Sequence, residues 1–403
     1  MRSTQRSLAE RQAWIALAAT PGVGDRTFQR LLEVHGNARK ALAWVVELPT
    51  AHADRHLAGT LELRLQRGLS AAIRASAADP GRSERSMRAL GGWVLTPLDA
   101  GYPARLHDIE EPPVVLYGLG DATSLTQGPM VAVVGTRRPS VAGRDLAARI
   151  SRRLVETGLV VVSGLALGID GSAHQAAIDG DGTTVAVVGG SLDAPGPRSH
   201  RRLARSILVQ GAIISELAPG VRPSRGTFPR RNRIVSGLAH ATIVVEAPAR
   251  SGALITARHA LEQGRRLLVA TGRPLDSRVA GNLALLRESP AMPLIGLDEM
   301  VADLDLASVA HASAGCGLAD VSSTPATPRA AAALQLLEPT QRAVAQALST
   351  GPHSVDGLCR ATSLEPGAVV AALTMLQLRG WARVLGATHL PAGPLLLDSV
   401  SSS

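Results

Sequence analysis

VAVVGTRRPS at residues 131–140 joins a run of β-branched residues to a glycine turn and two arginines. Five further apolar runs follow at residues 160–164, 184–189, 212–215, 242–246 and 267–270, with amphipathic helical patterns between them. Parallel strands need crossover connections of this kind, and strands buried on both faces are continuously apolar. The recurrence predicts an α/β fold with a Rossmann-like, doubly wound parallel sheet as its core.

The regions on either side of this core predict further domains. Residues 1–90 are rich in Ala, Leu and Arg at helical spacing, which indicates a small helical domain of the SAM or helix-hairpin-helix type. We expect the Rossmann-like domain at 91–300, a flexible linker at 301–334, and a winged helix at 335–395, where three helical patterns precede a hairpin-like tail. The turn at residues 20–25 could present N–H groups to a phosphate or be a tight turn between packed helices.

Composition excludes several classes of protein. The chain has 403 residues, of which 45% are hydrophobic, so it can bury a substantial core. Its two cysteines, Cys316 and Cys359, are far apart and support neither a disulfide framework nor a cysteine zinc site, and we expect no metal and no cofactor. The N-terminus lacks a signal-peptide core, and no apolar run reaches the length of about 18 residues that a membrane span needs. These features predict a cytoplasmic protein without membrane contact.

Positive charge is concentrated in the core. Residues 131–287 hold 22 arginines, no lysine and ten acidic residues, a net charge of +12, whereas residues 1–130 carry +2 and residues 288–403 carry −5. Arginine offers a planar fork for phosphate and a flat face for bases. A genome that encodes arginine in preference to lysine would explain the choice of cation but not its clustering. The pattern therefore favours nucleic acid or a nucleotide as partner.

The first glycine turn is a candidate phosphate site. It follows the first core strand, has Arg137 and Arg138 at its mouth and precedes a helix that starts near Ser140, so N–H groups and guanidinium groups could converge on a phosphate. It lacks the G-x-G-x-x-G pattern and the ribose-binding acid of dinucleotide enzymes. The single lysine, Lys40, lies outside any Walker A pattern, which excludes ATP hydrolysis by that route.

Three later motifs lie in the same predicted domain. SGLALGIDGSAH at 163–174 ends a strand and opens a helix with Asp170 as its predicted cap, although its glycines could serve only helix–sheet packing. TFPRRNRIVSG at 227–237 contains Phe228, the only aromatic residue between 131 and 287, which could stack on an unpaired base while Arg231 and Arg233 hold the flanking phosphates. The other interpretation makes Phe228 a core residue and the arginines a solvated face. ARSGALITA at 249–257 is another glycine turn before a helix.

These blocks, together with YPARLHDIEEPPVVLYGLGD upstream, resemble in order and spacing the signature blocks of the DNA-processing protein A (DprA/Smf) family. The resemblance implies a non-enzymatic, homodimeric protein that binds single-stranded DNA, protects incoming DNA in natural transformation and assists RecA loading in recombination. Residues expected to bind DNA, from the motifs and the resemblance together, are Gly135, Thr136, Arg137, Arg138, Ser163, Gly164, Arg198, Phe228, Arg231, Asn232, Arg233, Ser251 and Gly252.

The resemblance also implies a dimer contact and shows two departures. Leu283, Leu285 and Leu286 could supply an apolar dimer patch. Leu167 stands where the family usually has arginine and Gly196 where it usually has tyrosine, which could weaken DNA contacts unless nearby arginines compensate; those are Arg201, Arg202 and Arg205.

Two other functions stay open. The layout also resembles nucleotide-processing enzymes of the LOG-like Rossmann class, but Thr256 stands where their catalytic glutamate is expected, which leaves Glu246 and Asp170 as acids near the cleft. A regulator that reads duplex DNA through its winged helix is the third class. Four arginines against three acidic residues in 335–395 give that domain little basic excess.

Overall fold

Residues 2–224, 226–304, 337–349, 353–378, 381–385 and 388–391 are described by a computed structural model of the chain. The chain divides into two compact units, residues 1–317 and 318–403. The predicted linker at 301–334 lies outside the described residues except for its first four, which are helical.

The six predicted core strands are all present, together with three that the sequence did not predict. In the first unit the strands are β1 (Trp93–Leu95), β2 (Leu116–Gly120), β3 (Met130–Val134), β4 (Val160–Ser163), β5 (Thr184–Val187), β6 (Gly211–Ser215), β7 (Ala241–Val244), β8 (Arg266–Ala270) and β9 (Met292–Leu294).

These strands form one sheet in the order β1-β2-β6-β5-β4-β3-β7-β8-β9. All pairs from β6 to β9 are parallel, whereas β1 and β2 add an antiparallel edge next to β6. The chain winds outward from β3 to β6 and then crosses to β7 on the other side of β3. The predicted doubly wound α/β core is confirmed, and its topological switch point lies between β3 and β7.

Fourteen helices are described in the first unit. They are α1 (Arg2–Ala18), α2 (Asp25–His35), α3 (Ala38–Glu47), α4 (Ala53–Leu61), α5 (Leu69–Ala78), α6 (Arg82–Ala89), α7 (Ala104–His107), α8 (Val141–Glu156), α9 (Ile169–Asp179), α10 (Arg201–Gln210), α11 (Thr227–Leu238), α12 (Ala253–Glu262), α13 (Ala280–Glu288) and α14 (Leu297–Leu304).

Helices cover both faces of the sheet because alternate strand residues point to opposite sides. Val131 and Val133 of β3 pack with α8 and α9 on one face, whereas Ala132 and Val134 pack with α11 and α12 on the other. Each buried aliphatic side chain contributes about 1.5–3 kcal/mol to the stability of the folded state. The two layers therefore fix where the strand ends, and the loops that follow them, lie.

The predicted N-terminal helical domain is present, and α1–α5 share a core around Leu17, Phe28 and Leu31, whereas Met87 of α6 packs with the edge of the sheet. In the turn before α2, Pro21, Gly22 and Gly24 are exposed, whereas Val23 is half-buried. Asp25 occupies the first turn of α2 and forms an ion pair with Arg230 of α11. The ion pair shows that this end of α2 packs against α11, and both interpretations of the exposed turn stay predictions.

The second unit contains α15 (Pro339–Ser349), α16 (Val355–Thr362) and α17 (Pro366–Leu378) with the strands β10 (His353–Ser354), β11 (Ala382–Leu385) and β12 (Thr388–Pro391). The strands form a small antiparallel sheet in the order β10-β12-β11, and the helices share an apolar core. Three helices with a β hairpin are the predicted winged helix. Within the described part of the chain, no helix has both the length and the hydropathy to cross a bilayer.

Candidate nucleic-acid interface

A cavity of about 460 Å³ opens at the carboxyl ends of β3, β4 and β7, between the N-terminal turns of α11 and α12. This is the switch point of the sheet, where ligands of doubly wound folds bind. We call it the sheet-edge cavity. Ten of the thirteen residues expected to bind DNA line it: Gly135, Thr136, Arg137, Arg138, Gly164, Phe228, Arg231, Asn232, Ser251 and Gly252.

Hydrogen bonds of its amide groups hold the loop after β3 in place. The amide of Thr136 donates to the carbonyl of Glu246 at 2.7 Å, and that of Arg138 donates to the Thr136 hydroxyl at 3.2 Å. Ser140 caps α8 by accepting from the amide of Gly143 at 2.9 Å, which confirms the predicted helix start. The expectation that the loop's amides gather around a phosphate is wrong for Thr136 and Arg138, whose amides are already bonded. The guanidinium groups of Arg137 and Arg138 are exposed and remain available to an anion.

Arg231 lies beneath the cavity and is only 7% exposed. Its Nη1 donates to the carbonyl of Gly164 at 2.7 Å. Burial lowers the pKa of Arg231 to about 10; the neighbouring Asp170 opposes this and Arg137 adds to it. The group is therefore charged at neutral pH, and its position is fixed.

Gly164 is needed for close approach at this point. A Cβ atom built on it would lie 2.5 and 2.6 Å from the two Nη atoms of Arg231 and 2.6 Å from a carboxylate oxygen of Asp170. The backbone of Gly164 already serves both side chains, since its amide donates to Asp170 at 3.1 Å. Gly164 thus shapes the cavity and brings a buried cation to it.

Phe228 stands at the rim, in the first turn of α11, and is 42% exposed. Its ring lies against Gly189, where a Cβ atom would come within 2.9 Å of Phe228 Cδ1. Asn232, one turn further along the helix, donates to the carbonyl of Gly252 at 3.2 Å and so ties α11 to the start of α12. Phe228 thus lines the cavity and is partly exposed, which stacking on a base requires.

Three expected residues lie away from the cavity. Arg233 is 5% exposed and forms a bidentate ion pair with Glu216, at 2.6 and 2.8 Å, on the side of α11 that faces the N-terminal domain. Ser163 is buried and donates to the carbonyl of Val133 at 2.6 Å. Arg198 is exposed in a short 3-10 turn but does not line the cavity. The expected placement of Arg233 and Ser163 at a DNA pocket is therefore wrong.

One cation at the cavity was not predicted from the sequence. Arg250 lines the cavity from the turn before α12 and is exposed. The motif at 249–257 places Arg250 directly before Ser251 and Gly252, and this position could have indicated a cation at the cavity. With Arg250, four arginines and one acid, Asp170, line the cavity.

The two acids near the cavity have structural partners. Glu246 is buried and accepts from the amide and hydroxyl of Ser140, at 3.0 and 2.6 Å, which holds the start of α8. Asp170 accepts from the amides of Gly164 and Ala166; it lies in the first turn of α9, whereas Gly168 is the N-cap, so the predicted capping role is wrong. In the described residues no cluster of His, Cys, Asp or Glu could hold a metal ion.

The expected dimer patch on α13 is partly used inside the unit. Leu285 and Leu286 pack against the core cluster beside α12, and Leu283 is half-buried. All three leucines are half-buried, and a dimer contact there stays a prediction.

Comparison with known proteins identifies relatives over most of the chain. Family models match residues 93–305 (DNA recombination-mediator protein A), 325–387 (DprA winged helix domain) and 8–67 (DprA-like N-terminal HHH domain). Protein Smf of Synechocystis is 36% identical over 304 residues, which cover 71% of this chain and 76% of that protein. A putative DNA processing protein DprA of Mycobacterium tuberculosis is 36% identical over 305 residues, 72% of this chain and 75% of that protein.

A solved structure of a DNA processing protein A is similar to this chain as well. The X-ray structure of DNA processing protein A from Streptococcus pneumoniae superposes with a TM-score of 0.60 at 32% identity, covering 72% of this chain and 97% of that one.

Proposed function

Because the chain belongs to the DNA recombination-mediator protein A (DprA/Smf) family, we propose that it binds single-stranded DNA in the sheet-edge cavity. The observation that carries the proposal is the pairing of a half-exposed phenyl ring with four arginines around one cavity. Arginines attract phosphates regardless of sequence, and an aromatic face stacks on any unpaired base.

The preference for single strands follows from the position of Phe228. Its ring borders a recessed cavity, so a base can reach it only when that base is free of its partner strand. Binding should therefore be sequence-tolerant, stronger for single strands than for duplex, and steeply dependent on salt. By this proposal a homodimer protects incoming single-stranded DNA and assists RecA loading in transformation and recombination.

A nucleotide-processing enzyme is the weaker candidate. Thr256 lines the cavity where LOG-like enzymes are expected to place their catalytic glutamate, and the carboxylate of Glu246 is bonded to Ser140. Hydrolysis of nucleoside monophosphates, lost in Glu246→Gln, would favour that candidate.

The direct test is a salt series of DNA titrations. We expect wild type to bind an unstructured oligothymidylate more tightly than a duplex, and Arg137→Ala to weaken binding and lower the slope of log K against log salt by about 0.7, the value for one lost phosphate contact. Arg258→Ala is the matched control, since Arg258 is exposed on α12 but does not line the cavity. Equal affinity for duplex, or equal effects of the two variants, would contradict the proposal.

A further inference from the structure

A second concavity lies beyond the loop that follows β3. It is an open groove of about 1260 Å³ between α8, α9 and α10, on the opposite face of the sheet from α11. We call it the helix groove. The proposed function assigns it no role, and its lining differs from that of the sheet-edge cavity except at the shared loop.

The helix groove is positively charged. Five arginines line it, Arg137, Arg138, Arg144, Arg152 and Arg202, and none of them forms an ion pair with another described residue. Its two acids are Asp145 and Asp179, and Asp179 accepts from Gln175 at 2.8 Å. The net charge of the lining is therefore +3, which suits a chain of phosphates.

The arginines of α8 form a stripe along the groove. Arg144, Ala148 and Arg152 are spaced four residues apart, so they lie on one face of the helix. Val141, 83% exposed, stands at the start of that stripe. From Val141 to Arg152 the helix rises about 17 Å, which corresponds to about five phosphates at the 3.4 Å spacing of a duplex strand and fewer in a stretched one.

The groove and the cavity meet at one loop. Arg137 and Arg138 line both, and the loop that carries them is held in place by the Thr136 amide and the Ser140 cap. A strand seated in the cavity can thus leave it over this loop without losing contact with cations. Across the groove, Arg202 of α10 faces the α8 stripe, whereas Arg201 and Arg205 of the same helix do not line the groove.

We propose that single-stranded DNA continues from the sheet-edge cavity over the loop after β3 and along the helix groove, with its phosphates against Arg144, Arg152 and Arg202. This inference rests on the proposed function. It adds a second stretch of binding site, on the other face of the sheet, and predicts a footprint longer than the cavity alone.

The experiment compares two oligothymidylates, one of about 4 nucleotides that fits the cavity and one of about 12 that reaches the groove. The test variant carries Arg144→Ala, Arg152→Ala and Arg202→Ala. The control variant removes the same charge from the same two helices outside the groove: Arg149→Ala, Arg201→Ala and Arg205→Ala. Of the three arginines expected to compensate for Leu167 and Gly196, the groove proposal retains only Arg202 as a DNA contact. All six arginines are exposed, and circular dichroism verifies that both variants fold.

For the longer oligonucleotide, we expect the test variant to bind at least about tenfold more weakly and its salt slope to fall by about 2, or 0.7 for each lost contact. The short oligonucleotide should bind both variants within about twofold of wild type, and the control variant should bind the long one almost as wild type does. Equal losses in the two variants, or no loss in either, would overturn the helix groove as a strand path.

The two proposals fail separately. If Arg137→Ala weakens the short oligonucleotide but the groove variant behaves as wild type with the long one, only the groove inference is wrong. If wild type binds neither oligonucleotide, the proposed function is wrong and the groove inference falls with it. If the groove variant lost binding to duplex DNA but kept binding to single strands, the groove would be assigned to duplex DNA and the single-strand path would be wrong.

Discussion

Arg233→Met should unfold the protein more easily without changing how it contacts phosphates. Arg233 is almost fully buried, and its guanidinium forms two hydrogen bonds to Glu216, with Asp25 of the N-terminal domain 3.7 Å away. Burial by itself lowers the pKa of Arg233, but the bonds to Glu216 and the charge of Asp25 outweigh it, so the pKa is raised. Arg233 therefore stays charged and supplies the counter-charge of the Glu216 carboxylate.

The magnitude follows from what the substitution leaves behind. Methionine replaces much of the volume of arginine but leaves the Glu216 carboxylate, whose side chain is 17% exposed, without its counter-charge. Removing one partner of a buried pair costs about 3–5 kcal/mol. Adding Glu216→Met to Arg233→Met should recover part of this loss, because the unpaired carboxylate is then gone.

Urea denaturation followed by circular dichroism measures the change, with Arg137→Met as the control. Arg137 is exposed and forms no ion pair with a described residue, so its replacement should alter the free energy of unfolding by at most about 0.5 kcal/mol. In DNA titrations of the folded proteins, Arg137→Met should lower the salt slope and Arg233→Met should not. This placement of Arg233 would be refuted if Arg233→Met had wild-type stability and its slope of log K against log salt were reduced by about 0.7.

Three further predictions concern the same unit. Phe228→Ala should lose about 1–3 kcal/mol of DNA binding, or about 5- to 150-fold in Kd, with an unchanged salt slope, and Phe228→Tyr should retain most of it; an unaffected Phe228→Ala would exclude stacking there. Gly164→Ala should lower the free energy of unfolding by about 1–3 kcal/mol through overpacking and also weaken DNA binding. Gly252→Ala, whose Cβ atom would meet nothing within 4 Å, is the control and should keep wild-type stability in urea denaturation. His174 is fully buried, and its Nδ1 lies 2.7 Å from the Thr184 hydroxyl, which itself donates to a backbone carbonyl, so the imidazole is neutral with an unpartnered Nε2. Burial lowers the pKa of His174 to about 3, whereas the unfolded histidine titrates near 6.5. Acid therefore protonates the unfolded chain first, and the free energy of unfolding, constant above pH 6.5, falls by about 2 kcal/mol between pH 6.5 and 5. Urea midpoints of His174→Gln that fall as steeply with pH as those of wild type would contradict this.

The sequence predicted the strands whose side chains are buried on both faces, because such strands are continuously apolar. It did not predict β1, β2 or β9. β9 is only three residues long and contains Pro293, and β2 contains Gly118 and Gly120, so neither shows the β-branched pattern of a core strand. β2 is instead fixed by its pairing with β6, a contact between distant parts of the chain that local patterns do not encode.

The cavity was predicted better than the roles of its residues. Arginines two positions apart on a helix point to nearly opposite sides, at about 200°. Helical geometry alone thus separates Arg231, which faces the cavity, from Arg233, which pairs with Glu216. The sequence could not tell which side faced the sheet edge, because that depends on the N-terminal domain packing against Arg230 through Asp25.

Photo-crosslinking locates the bound strand on the protein directly. A short oligonucleotide that carries 5-iodouracil in place of thymine is bound to the full chain, irradiated and digested, and the crosslinked peptide is identified by mass spectrometry. We expect attachment within the first turn of α11, at Phe228, and loss of that product in Phe228→Ala. Crosslinks confined to the winged helix or to α1–α6, with none at the sheet edge, would contradict it.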